Sequence, residues 1–266
     1  MKVIAVYSTK GGVGKTTTAV NLAWVASRDF RVLLWDLDPQ GAATYLLEVK
    51  ARVKGGVDSL VSGKTSAGKA IRQTAYPHLD VLPADDSYRD LDLVFDAAKK
   101  STARVARLLD TIADDYDVVV LDCPPGASLV AENALLAADV VVLPLVPSPL
   151  ALRSLDQVRG IVEDSAKSPA ILAFLSIVDR RKSSHRSAVE QLPSEREIVD
   201  VVVPATVVVE RMGSERAPLG SFAPNSDAAR AFESLWKAVA GKARIKVRDR
   251  KRTQPPMPDV WHKLPS

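Results

Sequence analysis

The chain has 266 residues, 47% hydrophobic and 26% charged, an ordinary globular composition and enough for one large α/β domain. It has no run of about 18 apolar residues, which excludes a spanning helix, and a single cysteine, Cys123, which excludes a disulfide framework or a cysteine-built zinc site. The net charge of +4 is uneven: residues 241–266 hold eight Lys/Arg and two Asp/Glu, leaving residues 1–240 at −2, so the basic character sits in a short tail suited to a polyanion.

The chain opens MKVIAVYSTKGG, an apolar stretch too short for a signal peptide, and a cytoplasmic location is expected. Residues 2–7 predict a buried strand that ends at a Ser/Thr/Gly cluster. Residues 15–27 follow, with Ala19, Leu22, Ala23 and Ala26 on one helix face. Further strands are predicted at 31–35, 79–82, 117–121, 139–143, 170–176 and 199–203. Between them Val105, Leu108, Leu109 and Ile112 keep helical spacing, as do Phe232, Leu235, Trp236 and Val239. Strands alternating with helices imply an α/β fold, a mostly parallel twisted sheet with helices on both faces. Ligands of such sheets bind beyond the carboxyl ends of the strands. Residues 1–240 read as one domain. Residues 241–266, basic and carrying Pro255, Pro256, Pro258 and Pro265, read as a mostly disordered tail.

The stretch STKGGVGKTTT, Ser8–Thr18, follows a strand and opens a helix, the context of a phosphate-binding loop. Gly11, Gly12 and Gly14 let backbone amides turn inward, and those amides with the helix N-terminus cradle anionic phosphates. Val13 lies within the same loop. Lys15 can reach the β- and γ-phosphates, Thr16 can ligate Mg²⁺, and Thr17 lies near the α-phosphate. The strict pattern G-x-x-x-x-G-K-[ST] is not met, because Thr9 stands at its first position and a second lysine, Lys10, appears. A Gly-rich turn with two solvated lysines is the bland alternative.

VVVLDCPPG, Val118–Gly126, places an aspartate after an apolar strand. This is the Walker B arrangement, in which Asp122 holds Mg²⁺ through water. WDLDPQGAAT, Trp35–Thr44, carries Asp36 and Asp38. Strand alternation would turn one toward the site and the other away, and a turn aspartate capping the next helix is the competing reading. Cys123 beside the site has no histidine placed to activate it and reads as a packing residue.

The K-G-G-V-G-K-T form resembles the deviant Walker A motif of the ParA/MinD family of P-loop ATPases, and the likeness spans nearly residues 2–240. It implies that Lys10 crosses a dimer interface to the partner subunit's nucleotide. It also implies that Asp38 orients or deprotonates the attacking water while Asp36 supports the Mg²⁺ shell, and that Pro124, Pro125 and Gly126 form the switch that senses the γ-phosphate. Ser176 and Pro204 are the adenine-side candidates by the same match. Residues 132–152 resemble the family's dimer-side region, and residues 201–236 resemble the ParA branch. That branch implies an ATP- and Mg²⁺-dependent homodimer, non-specific DNA binding at the nucleoid, and a ParB-like partner that stimulates hydrolysis. A start directly at the first strand implies no N-terminal helix-turn-helix.

DNA binding requires Lys and Arg that neutralise phosphates. The body offers Arg180, Arg181, Lys182, Arg186, Arg211, Arg216 and Lys237, and the tail adds Lys242, Arg244, Lys246, Arg248, Arg250, Lys251 and Arg252; solvated surface charge is the alternative at each. The tail lacks the apolar face of a MinD-like membrane helix, although its charge suits anionic lipid. An ATP-dependent ligase on the same scaffold is a competing class. An iron–sulfur electron carrier would need two cluster-ligating cysteines per subunit and is set aside.

Overall fold

Apolar β-branched runs such as Val118–Val120 and Val140–Val142 suit strands buried on both faces, and they form the centre of the sheet. In the computed structural model, residues 1–97, 103–148, 150–163, 167–191 and 195–245 are described. The strands are β1 (Lys2–Val6), β2 (Val32–Asp36), β3 (Arg72–Gln73), β4 (Leu79–Leu82), β5 (Val118–Asp122), β6 (Val140–Leu145), β7 (Ala170–Val178) and β8 (Ile198–Pro204). They form one eight-stranded sheet in the order β3-β4-β2-β5-β1-β6-β7-β8. Every pairing is parallel except β3 with β4. The mostly parallel α/β expectation therefore holds. All seven predicted strands are present, with ends shifted by one or two residues. The two-residue β3 was not expected from the sequence.

Strand alternation divides the core into two layers. Tyr7, Leu33, Trp35, Val119, Leu121, Val141 and Leu143 pack toward helices that include Arg104–Asp110, Leu129–Ala137 and Ala151–Glu163. Ile4, Val6, Leu34, Val118, Val120, Val142 and Phe174 pack toward the helices Lys15–Ser27 and Asp227–Lys242. The expected face of the last helix is confirmed, with Phe232, Leu235, Trp236 and Val239 all buried. Ile112, expected on a helix face, lies past the end of Arg104–Asp110 and is nevertheless buried.

The last helix runs through Lys242, Ala243 is buried, and Ile245 packs partly against the core. The remaining tail, with Lys246, Arg248, Arg250, Lys251 and Arg252, lies outside the described residues. Among the described residues no helix is long and apolar enough to cross a membrane.

Candidate functional site

β1 delivers the chain into the loop Ser8–Gly14 and the helix Lys15–Ser27. Gly12 has φ +70° and Gly14 has φ +90°, conformations that only glycine adopts without strain. Gly11 and Gly12 are exposed, and Val13 is buried as the loop's apolar anchor. No side chain caps the helix, and no acidic residue lies in its first turn. Its N-terminal amides are thus left to an anion, in the field of the helix dipole.

Three strand ends meet beneath this loop. Val6 and Asp36 are both register partners of Asp122, so two carboxylates end adjacent strands beside the lysine. Lys15 is buried, and its Nζ donates to the Lys10 carbonyl at 3.1 Å. Burial lowers the Lys15 pKa, while Asp122 and Asp38 pull it the other way.

Asp36 and Asp122 are both fully buried but differ in their partners. One Asp36 oxygen accepts from the Thr44 backbone N–H at 2.8 Å and the Thr44 hydroxyl at 2.7 Å. The other accepts from the Asp38 N–H at 3.3 Å. Burial, partly offset by these bonds, pushes the Asp36 carboxyl up to about 6. Neither Asp122 oxygen has a hydrogen-bond partner. Burial first, then the neighbouring Asp36, holds its pKa well above the usual range; Thr16 stands near enough to offset this in part. An ionised carboxylate without a partner is costly in such a place, and a cation removes that cost. Among the described residues no group of three or more His, Cys, Asp and Glu is gathered to hold a metal. Magnesium, which takes most of its ligands from water and phosphate, fits one carboxylate and a threonine hydroxyl.

The expected opposition of Asp36 and Asp38 is not observed. β2 ends at Asp36, Asp38 lies in the following turn, and its charge is felt by Lys15, Asp36 and Asp122 alike. Residues two apart share a strand face, so alternation never separated them. Asp38 also caps its own turn, accepting from the Gln40 N–H at 2.9 Å. Thr16 and Thr17 occupy the first helical turn.

Ser176 is buried, and its Oγ would lie 3.1 Å from a Cβ built on Gly14, which places it behind the loop. Pro204 ends β8 and pairs with Val178. Cys123 is fully buried, and burial pushes its thiol pKa up, as expected of a packing residue.

The basic candidates do not share one state or one surface. Arg180, Arg181, Lys182 and Arg186 follow β7 at the loop end of the sheet and are exposed. Arg181 is held by Asp179 through two bonds of 2.9 Å. Arg211 pairs with Glu215 and lies over the Phe222 ring. Arg216 stacks on Tyr45 at 4.4 Å and pairs with Glu48 at 3.2 Å. Lys237 is exposed on the last helix. Lys242 borders a cavity with Pro169 and Ala170 at the start of β7, the end opposite the loop, and Arg244 follows it.

The sequence reading missed three supports. Thr44 secures Asp36, Tyr7 reaches Gly126, and Asn21 ties the loop's helix to the C-terminal segment. Asn21 donates to the Met212 sulfur at 3.3 Å and accepts from the Leu219 N–H at 2.8 Å. Only the position of Tyr7, last in its apolar run, gave any signal.

Comparison with known proteins adds lineage to this geometry. Residues 1–171 match a protein family described as an AAA domain. The chain is 32% identical over 248 residues to the sporulation initiation inhibitor protein Soj of Bacillus subtilis, covering 90% of this chain and 98% of Soj. It is 29% identical over 257 residues to the chromosome partitioning protein ParA of Caulobacter vibrioides, covering 92% and 96%. The ATP complex of a McdA variant from Cyanothece superposes with a TM-score of 0.77 at 20% identity, covering 90% of this chain and 96% of that one.

Proposed function

The chain belongs to the ParA/MinD family of P-loop ATPases, and from that premise we propose that it is a nucleotide-switched positioning ATPase of the ParA type. The observation that carries the reading is the partnerless, fully buried Asp122 carboxylate beside a buried lysine and an uncapped helix N-terminus. Such a site is completed by a cation and a polyphosphate.

The residues divide the work as follows. Amides of Gly11, Gly12, Val13 and Gly14, with Lys15, Thr16 and Thr17, bind the phosphates of ATP. Thr16 and Asp122 would hold Mg²⁺, and Asp36 would support them by fixing Thr44 and Asp38. Magnesium, when bound, neutralises developing phosphate charge. Asp38 orients the attacking water and accepts its proton. The water oxygen bonds to the γ-phosphorus, the bond to the bridging oxygen breaks, and ADP and phosphate result. Lys10 reaches the nucleotide of the partner subunit, so ATP joins two subunits face to face. Ser176 and Pro204 lie toward the base.

The paired subunits sum their basic surfaces into a face for non-specific DNA, with Arg180, Lys182 and Arg186, exposed at the loop end of the sheet, as the body contributors. A ParB-like partner stimulates hydrolysis, the dimer opens and DNA is released. The protein thereby acts at the nucleoid in the cytoplasm.

DNA binding titrated with ATP, ADP and no nucleotide over several salt concentrations tests this. ATP-only binding that weakens steeply with salt is expected. Equal binding in all three states would overturn the switch, and ATP turnover that required a small organic acceptor and ignored DNA would favour the ligase class.

A further inference from the structure

The loop after Asp122 is anchored by a residue that phosphate chemistry leaves unused. Tyr7 follows β1 and is fully buried. Its hydroxyl donates to the Gly126 carbonyl at 3.1 Å, bridging 119 residues of sequence. The Gly126 N–H donates in return to the Thr9 carbonyl at 3.2 Å. One residue of that loop is therefore gripped on both sides by the segment that carries Lys10. Thr9 is itself braced, its hydroxyl donating to Gln157 Oε1 at 3.1 Å on the helix Ala151–Glu163.

Gly126 has φ +84°, and a Cβ built on it meets nothing within 4 Å. The glycine is there for its backbone conformation and not for space. Pro124 and Pro125 before it have fixed φ, so rotation of the loop concentrates at Gly126. The residue with the most freedom is the one that Tyr7 holds.

We propose that Tyr7 is a positioning residue for hydrolysis: through Gly126 it makes the 124–126 loop and the Thr9–Lys10 segment move as one, so that a γ-phosphate met by the loop is relayed to Lys10. This rests on the ATPase reading above. A buried tyrosine hydroxyl needs a partner, and Gly126 is the partner it has. Burial, with Cys123 adding to it, pushes the hydroxyl up to about 12, so it stays a donor across the physiological range. Phenylalanine keeps the ring packing and removes only the bond.

The test is Tyr7→Phe in the full chain. ADP affinity and thermal midpoint are measured first, then kcat and KM for ATP. Amide hydrogen exchange of the peptides containing Lys10 and Gly126 follows, with ADP and with a non-hydrolysable ATP analogue. Expected are ADP affinity within about twofold of the parent, a kcat lowered about tenfold with little change in KM, and faster exchange at Gly126. The difference in exchange between ATP analogue and ADP at the Lys10 peptide should vanish. Gly126→Ala, which keeps Tyr7 but opposes the positive φ, should give the same pattern. Parental kcat and an intact exchange difference in Tyr7→Phe would overturn the relay. So would an equal loss of ADP affinity and thermal midpoint with kcat unchanged, which marks a packing role. If the unmodified protein neither hydrolyses ATP nor distinguishes it from ADP, the ATPase reading falls first and the relay with it.

Discussion

Lys15 Nζ donates to the carbonyl oxygen of Lys10 at 3.1 Å, so one lysine of the loop holds the other by its backbone. The Lys10 N–H is also engaged, by the Ser8 hydroxyl at 3.3 Å. The Lys10 ammonium has no partner among the described residues. Shape of the loop and reach of its extra charge are thus separable.

Lys10→Ala should therefore keep nucleotide affinity within about threefold, because every backbone bond of the loop survives the truncation. Dimer formation in ATP and partner-stimulated turnover should be lost. Sedimentation in ATP, alongside an equilibrium nucleotide titration, checks both halves. An ATP dimer that persists in this variant would exclude the proposed crossing role.

Asp122→Asn should stabilise the nucleotide-free protein while weakening its Mg²⁺-dependent affinity for ATP. The buried carboxylate has no partner, and an amide of the same shape removes the cost of burying an unpaired charge. The sign with pH follows from the raised pKa values. Asp36 titrates at about 6 when folded against 3.8 as its ordinary value, and Asp122 is raised as well. The folded state keeps protons that the unfolded chain has released, so the contribution of these two groups is fullest below about pH 4 and is lost as pH rises through about 6. Asp122→Asn should flatten that decline. Urea unfolding at pH 5 and pH 8 measures it, and a variant less stable than its parent at pH 8 would refute the account.

Gly220→Ala should destabilise the fold by about 1–3 kcal/mol through overpacking. A Cβ there would run into the Trp24 ring, and Asn21 pins the adjacent Leu219 N–H, so retreat is costly. Trp24→Leu in the same chain should recover part of the loss, a coupling that a double-mutant cycle reads directly. Additive losses would mean that the two residues do not meet.

Among the basic side chains, Lys182→Ala should lower the slope of log affinity for DNA against log salt by about 1 in magnitude. Arg181→Ala should change it less, since that guanidinium already faces Asp179 through two bonds. Titration in ATP over a range of salt distinguishes them. A larger effect at Arg181 would show that the Asp179 pair opens on DNA.

The phosphate loop, the Asp122 strand and the central sheet were legible because each is a contiguous pattern: glycines at fixed offsets, or an apolar run ending at a charge. β3 was not, since Arg72–Gln73 is too short for any periodicity. The short helices Ala42–Leu46, Gly56–Val61 and Leu91–Asp96 were missed for the same reason. The division between Asp36 and Asp122 was also hidden. It depends on Thr44 returning to Asp36, a contact set by tertiary folding. The Arg216 side chain likewise reads as free charge in sequence, yet it is committed to Tyr45 and Glu48.

The position of β1 has a consequence for biosynthesis. Its two neighbours are β5, at Val118–Asp122, and β6, at Val140–Leu145. β1 thus stays unmated until the chain has been translated past Val118. Loop-closure entropy over such separations slows assembly. A nascent chain paused before residue 118 cannot build its phosphate cradle, and in that interval the apolar β1 segment is a natural client for a chaperone.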